Sequence, residues 1–300
     1  MKGAPLQPVS SPRSVLIAVI AVIFAMFSVT AGAAVAKGLF AAIGAEGMTG
    51  LRNGFGALIL LAFWRPWRAG LPNRGQITLL LLYGVNLGVM NLLYYLSLRT
   101  LPLGLAVAIE FIGPFTLALF NSRQWRDILW LAIAMAGLIM LLPFGSGHLA
   151  VDPLGAAYAL AAGAAWAMYI VFGQKAAAVM ASGRVTAFGT SIAALVIMPI
   201  AWLHAGTALL VGPTLAIALV VALFSSAIPY SLDMIALTRL PTRTFGILMS
   251  VEPAIGAFTG FVILGEDLSL RQQLAIFCII VASFGSTVSA SKSLPMTPEL

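Results

Sequence analysis

The chain has 300 residues, of which 61% are apolar and only 8% charged, with a formal net charge of +7. That composition excludes an ordinary soluble domain, and no nucleic-acid partner is needed to explain the charge, because its placement follows membrane topology. Uncharged runs at 15–36 and 76–98 are each long enough, as helices, to cross about 30 Å of hydrocarbon.

Backbone groups in lipid require internal hydrogen bonds, so these runs read as helices; barrel strands would be shorter and would alternate polar with apolar. Ten spans are predicted, at 15–36, 47–64, 76–98, 102–121, 127–146, 153–174, 185–204, 211–235, 243–264 and 271–291. The first exceeds a signal-peptide core in length and is expected to stay in the protein. Lys37 closes it, and Arg52 starts span two near the outer surface. Both basic residues either snorkel to the interface or contact a substrate carboxylate. Trp64 and Trp67 at the end of span two, and Trp125 and Trp130 around span five, suit the cytoplasmic interface.

Span three carries Asn86, Asn91, Tyr94 and Tyr95, with Asn91 and Tyr95 on one helical face. Span four carries Glu110 four residues before Pro114, and span nine carries Glu252 immediately before Pro253. An ionised carboxylate in the hydrocarbon costs on the order of 3 kcal/mol by insertion scales, so each needs a reason. Span eight contributes Pro229, Tyr230 and Asp233. Pro114, Pro229 and Pro253 have no N–H to give, which frees the carbonyls of Glu110, Ser225 and Met249. Such carbonyls can bind an ammonium group or admit water, or the kinks can serve packing alone. The amide and phenol groups can likewise orient a polar solute or join helices by hydrogen bonds. Three small-residue pairs, Gly50/Gly54, Gly84/Gly88 and Gly256/Gly260, are expected to pack helices within the monomer. Cys278, the single cysteine, reads as packing.

The chain is doubled. Lys37 and Trp64 recur as Lys175 and Trp202 at a spacing of 138, and Leu101-Pro102 and Pro114 recur as Leu240-Pro241 and Pro253 at 139. Residues 1–146 form the first five-helix repeat and 147–300 the second, joined by a turn rich in Gly, Pro and Asp. Five is odd, so the second copy enters from the opposite side, and the two are inverted. The basic residues gather in segments that are cytoplasmic when the N-terminus is, which predicts cytoplasmic N- and C-termini. The expected fold class is therefore an all-α membrane protein of ten transmembrane helices with a cavity between the repeats. No HExxH, GxSxG, Walker loop or CxxC occurs, and His148 and His204 stand apart, so no enzyme, metal site or cofactor is expected.

At these residues the chain resembles the EamA-type drug/metabolite transporters. The stretch from Pro229 to Gly246, with Leu248-Met-Ser and Glu252-Pro-Ala254, is similar to the bacterial threonine/homoserine exporters, as are Asn91, 101–104, Glu110, Gly113-Pro114 and 141–143. Asp233 departs from the glutamate expected there and keeps the charge on a shorter arm. The resemblance implies an inner-membrane exporter of small amino acids, chiefly threonine and homoserine, working by proton exchange. In that reading Glu110 or Glu252 pairs with the substrate ammonium or carries the coupling proton, since a buried carboxyl can exchange protons near neutrality. Asn91, Tyr95 and Tyr230 line the cavity. Oligomeric state is open, and a monomer suffices. The same scaffold carrying another amino acid, a nucleobase or a drug is the nearest alternative; a membrane enzyme or non-transporting scaffold is the more distant one.

Overall fold

The fold is that of a computed structural model, which describes residues 12–120, 126–141, 151–230, 232, 248–249 and 251–291. The described residues are helical, with no strand among them. In chain order α1 is Pro12–Gly38, α2 Phe40–Trp64, α3 Arg74–Ser97, α4 Leu103–Glu110, α5 Ile112–Phe120 and α6 Arg126–Leu141. Then follow α7 Pro153–Ala177, α8 Ser182–Ala205, α9 Gly212–Ala222, α10 Glu252–Thr259 and α11 Leu270–Ser291. Five stretches are long and apolar enough to cross a membrane: Leu16–Gly38, Arg74–Ser97, Pro153–Ala177, Ser182–Leu210 and Gly212–Tyr230. Shorter apolar helices lie at Leu103–Leu117, Glu252–Leu264 and Leu270–Ala282.

The expected prolines act where the sequence places them, each with a different result. Span four is split: α4 ends at Glu110 and α5 begins at Ile112, because Pro114 cannot donate to the Glu110 carbonyl. After α9 the chain makes a π-helical turn at Leu223–Ala227, where the Ile228 amide reaches back to the Leu223 carbonyl. Such turns loosen the ladder and turn backbone oxygens outward. Pro253 stands in the first turn of α10, where a missing N–H costs least.

Span two differs from expectation at its start. The helix begins at Phe40, bends at Gly44 (φ 69°, ψ 170°), and places Arg52 midway between its ends. Its polar residues Glu46, Arg52 and Asn53 dilute the hydropathy that would have revealed the first turns, yet all three are buried.

Packing pairs each element with one from the far half of the chain. The broadest contacts join α2 to α8, α3 to α7 and α6 to α11, and α4 lies on α10. Glycines permit the close approaches: a side chain at Gly104 would collide with Ala257, and one at Gly113 with the Gly163 carbonyl. Gly50 and Gly54 face Ala201 and Met198 of α8, Gly84 and Gly88 face Ile192 and Ala193, and Gly256 and Gly260 face α4. All three small-residue pairs thus pack within the chain.

Candidate functional site

Among the described residues the most buried charged side chain is Arg52, 4% exposed. Its Nε donates to the Ser225 hydroxyl at 2.8 Å and its Nη2 to the Ser225 carbonyl at 2.7 Å. That carbonyl is the one Pro229 leaves unclaimed, so the proline-freed oxygen receives the protein's own cation. The Ser225 hydroxyl in turn donates to the Val221 carbonyl at 2.7 Å. Arg52 Nη1 donates to Asn91 Oδ1 at 3.0 Å, Asn91 Nδ2 to Asn53 Oδ1 at 3.1 Å, and Asn53 Nδ2 to the Thr49 carbonyl at 3.0 Å. The chain of donors runs in one direction and fixes every amide. The Tyr95 ring lies 5.3 Å from the guanidinium carbon, within cation–π range. Its hydroxyl has no hydrogen-bond partner among the described residues.

Arg52 is therefore neither at the surface nor snorkelling, as its predicted place at the start of span two implied. It joins α2, α3 and the π-helical turn. Ser225 and Asn53 are the partners that sequence reading missed; the only signal for them is the carbonyl freed by Pro229, which points to Ser225 but not to Arg52.

Around this knot stand the two glutamates. Glu110 ends α4 and Glu252 begins α10, both buried. The two carboxylates lie within electrostatic reach of each other, and Glu110 lies within reach of Arg52 and Tyr94. Tyr230 belongs to the same field. The structure thus brings together Arg52, Asn91, Tyr95, Tyr230, Glu110 and Glu252. Asp233 lies outside the described residues. The freed Glu110 carbonyl packs toward Gly163 of α7, where a side chain would strike it.

Lys37 stands apart, at the outer end predicted for it. Its Nζ meets Glu266 Oε1 at 2.5 Å and the Leu101 carbonyl at 2.8 Å, while Glu266 Oε2 accepts the Leu103 amide at 2.7 Å. One carboxylate therefore ties α1, the first amide of α4 and the end of the helix that carries Glu252. Glu46 makes a second tie at the predicted outer ends, to Arg99 at 2.5 Å and His204 at 3.3 Å. At the start of α7, Thr100 and then the Gly155 amide bond Asp152 and hold its carboxyl below the usual carboxylate range.

Arg52, Asn91, Glu110 and Glu252 are buried at this centre. A groove of about 300 Å³ lined by Leu81, Leu82, Val85, Asn86, Val89 and Phe172 lies between α3 and α7, away from Arg52 and the glutamates. No group of three or more metal-ligating side chains occurs among the described residues.

Long apolar helices crossing one another around a buried, charged centre define a multi-pass helical membrane protein. The chain belongs to the EamA-like transporter family, in its RhtA branch. The profile of that family matches residues 153–288. The threonine/homoserine exporter RhtA of Escherichia coli K12 is 50% identical over 274 residues, covering 91% of this chain and 92% of the relative. RhtA of Salmonella typhimurium LT2 is 50% identical over 271 residues, covering 90% and 91%. The uncharacterized inner membrane transporter YedA of E. coli K12 is 29% identical, covering 82% and 83%. A crystal structure of a protein 19% identical in sequence shares the fold, with a TM-score of 0.59 over 95% of this chain and 100% of its own.

Proposed function

We infer that this protein is a secondary active exporter that carries small amino acids, chiefly threonine and homoserine, out of the cytoplasm across the bacterial inner membrane. The observation that carries the reading is 50% identity to an exporter of those two amino acids along nine-tenths of both chains. Uphill export needs an energy source, and exchange for protons is the coupling we assign. The scaffold is ten transmembrane helices in two inverted five-helix repeats, 1–146 and 147–300, with both termini cytoplasmic.

The helix contacts support this arrangement. Under the pseudo-two-fold the predicted spans pair as one with six, two with seven, three with eight, four with nine and five with ten. The contacts of α2 with α8, α4 with α10 and α6 with α11 each map onto themselves. The contact of α3 with α7 maps onto that of α1 with the π-helical turn.

In this reading Glu110 and Glu252 divide two tasks, holding the substrate ammonium and carrying the coupling proton. Asn91, Tyr95 and Tyr230 line the path, and rocking of one repeat against the other opens the buried centre to each side. The test is pH-gradient-driven threonine uptake into everted vesicles. Glu110→Gln and Glu252→Gln are each expected to abolish or strongly reduce it, with the proton carrier also losing its pH dependence. Uptake undiminished in both variants sinks the assignment of the glutamates.

A further inference from the structure

We propose that Arg52 is the receptor for the substrate's α-carboxylate, and that Ser225, Asn91 and Asn53 position it. The proposal rests on an amino acid being the substrate, and it names the part of the molecule that Arg52 reads.

The first ground is charge. Lys37 and Arg99 each already face a carboxylate, on Glu266 and Glu46. Arg52 is buried more deeply than either, yet no carboxylate hydrogen-bonds it among the described residues; its acceptors are a hydroxyl, a main-chain carbonyl and an amide. A cation buried in a membrane protein marks a functional site, and one whose hydrogen-bond acceptors are all neutral keeps its charge available to an anion.

The second is donor arithmetic. A guanidinium offers five N–H donors, and three are engaged. One remains on each terminal nitrogen, and two such donors match the two oxygens of a carboxylate. Ser225 takes the Nε and Nη2 side of the fork through its hydroxyl and carbonyl, and Asn91 takes one donor of Nη1. The plane of the guanidinium is thereby fixed.

The third is the polarity of the surroundings. Glu110 acts on Arg52 through space without a hydrogen bond between them, and Glu252 acts on Glu110. A zwitterion placed between would set its carboxylate on Arg52 and its ammonium toward the glutamates. The unengaged Tyr95 hydroxyl beside the guanidinium is available to a polar substrate group. An α-amino acid has its two charges in that order, and one lacking its carboxylate does not.

The experiment measures binding of threonine and of threoninol, which carries an alcohol in place of the carboxylate, to the purified full-length protein. Counterflow in proteoliposomes runs alongside. Wild type is expected to prefer threonine by on the order of 100-fold, the scale of losing charge-assisted hydrogen bonding to a carboxylate. Arg52→Gln is expected to bring the ratio close to one by weakening threonine and sparing threoninol. Arg52→Lys keeps the charge without the fork and should fall between. Ser225→Ala and Asn53→Ala should lower the ratio several-fold, through Arg52. An unchanged ratio in Arg52→Gln overturns the proposal, and so does an equal loss of both ligands in a folded variant, which marks a structural role. If Arg52→Gln does not fold, Arg52→Lys and Ser225→Ala decide by the same ratio. Wild type that transports threonine without preferring it over threoninol overturns the role of Arg52 alone. Wild type that binds no amino acid overturns the proposed function with it.

Discussion

A guanidinium at the centre of a membrane helix costs about 3 kcal/mol by insertion scales, and interhelical hydrogen bonds in membranes return about 0.6 kcal/mol each on average and at most about 1.7. Arg52 makes three, so its network returns roughly 2–5 kcal/mol and does little more than offset the burial. A glycine contact behaves differently, because van der Waals overlap is steep. Gly113→Ala would drive a methyl into the Gly163 carbonyl and is expected to destabilise by about 1–3 kcal/mol. Gly38→Ala meets nothing within 4 Å and should be close to neutral. Thermal unfolding of both in one detergent checks the contrast. Asp152 yields a pH prediction. Its folded pKa is lowered, so its stabilising contribution is complete above an unfolded value of about 3.9 and is lost only as pH falls through the lower folded one. Asp152→Asn should therefore leave the pH profile of transport between about 5 and 8 unmoved, and a displaced profile would contradict the assignment.

At the scale of the element, a single proline shows how far sequence reading reaches. That Pro229 frees the Ser225 carbonyl follows from covalent chemistry alone. That Arg52 accepts the offer does not, because the partners lie 173 residues apart and meet only when α2 packs beside the π-helical turn. Pro229→Ala restores a donor for that carbonyl, in competition with Arg52. It is expected to lower threonine transport several-fold while the protein stays folded; unchanged counterflow would show that the carbonyl plays no part. Lys37 was legible as a basic residue at a helix end, but its bond to Glu266 was not. Glu266→Gln removes the charge that ties α1 to the start of α4. In a Cys278→Ser background, Leu103→Cys is buried and should resist a membrane-impermeant thiol reagent applied from outside. Adding Glu266→Gln should raise its labelling several-fold, and equal labelling would show that the tie does not hold this end shut.

For the whole molecule, the proposed inverted duplication carries a prediction for the other face. Lys37 and Glu266 have counterparts at spacings of 138 and 139 in Lys175 and Asp127. Under the inverted arrangement those two belong at the inner side, so Asp127→Asn is expected to raise accessibility from the cytoplasm and not from outside. Reporter fusions at both ends test the topology itself. A fluorescent protein at the C-terminus should mature, and an alkaline phosphatase there should stay inactive, because the ten proposed spans, an even number, return the chain to its starting side.

The sequence by itself determined that the chain is helical and crosses the membrane, because hydrocarbon admits no unpaired backbone and uncharged runs of this length leave only helices. It also located the carboxylates and prolines around which the centre is built. Only the tertiary structure decided what those groups meet: Arg52 on Ser225 and Asn91, the Glu110 carbonyl against Gly163, Lys37 on Glu266. The reason is physical. Burial in lipid is a property of composition, readable along the chain, whereas the partner of a buried charge is a property of packing between residues far apart in it.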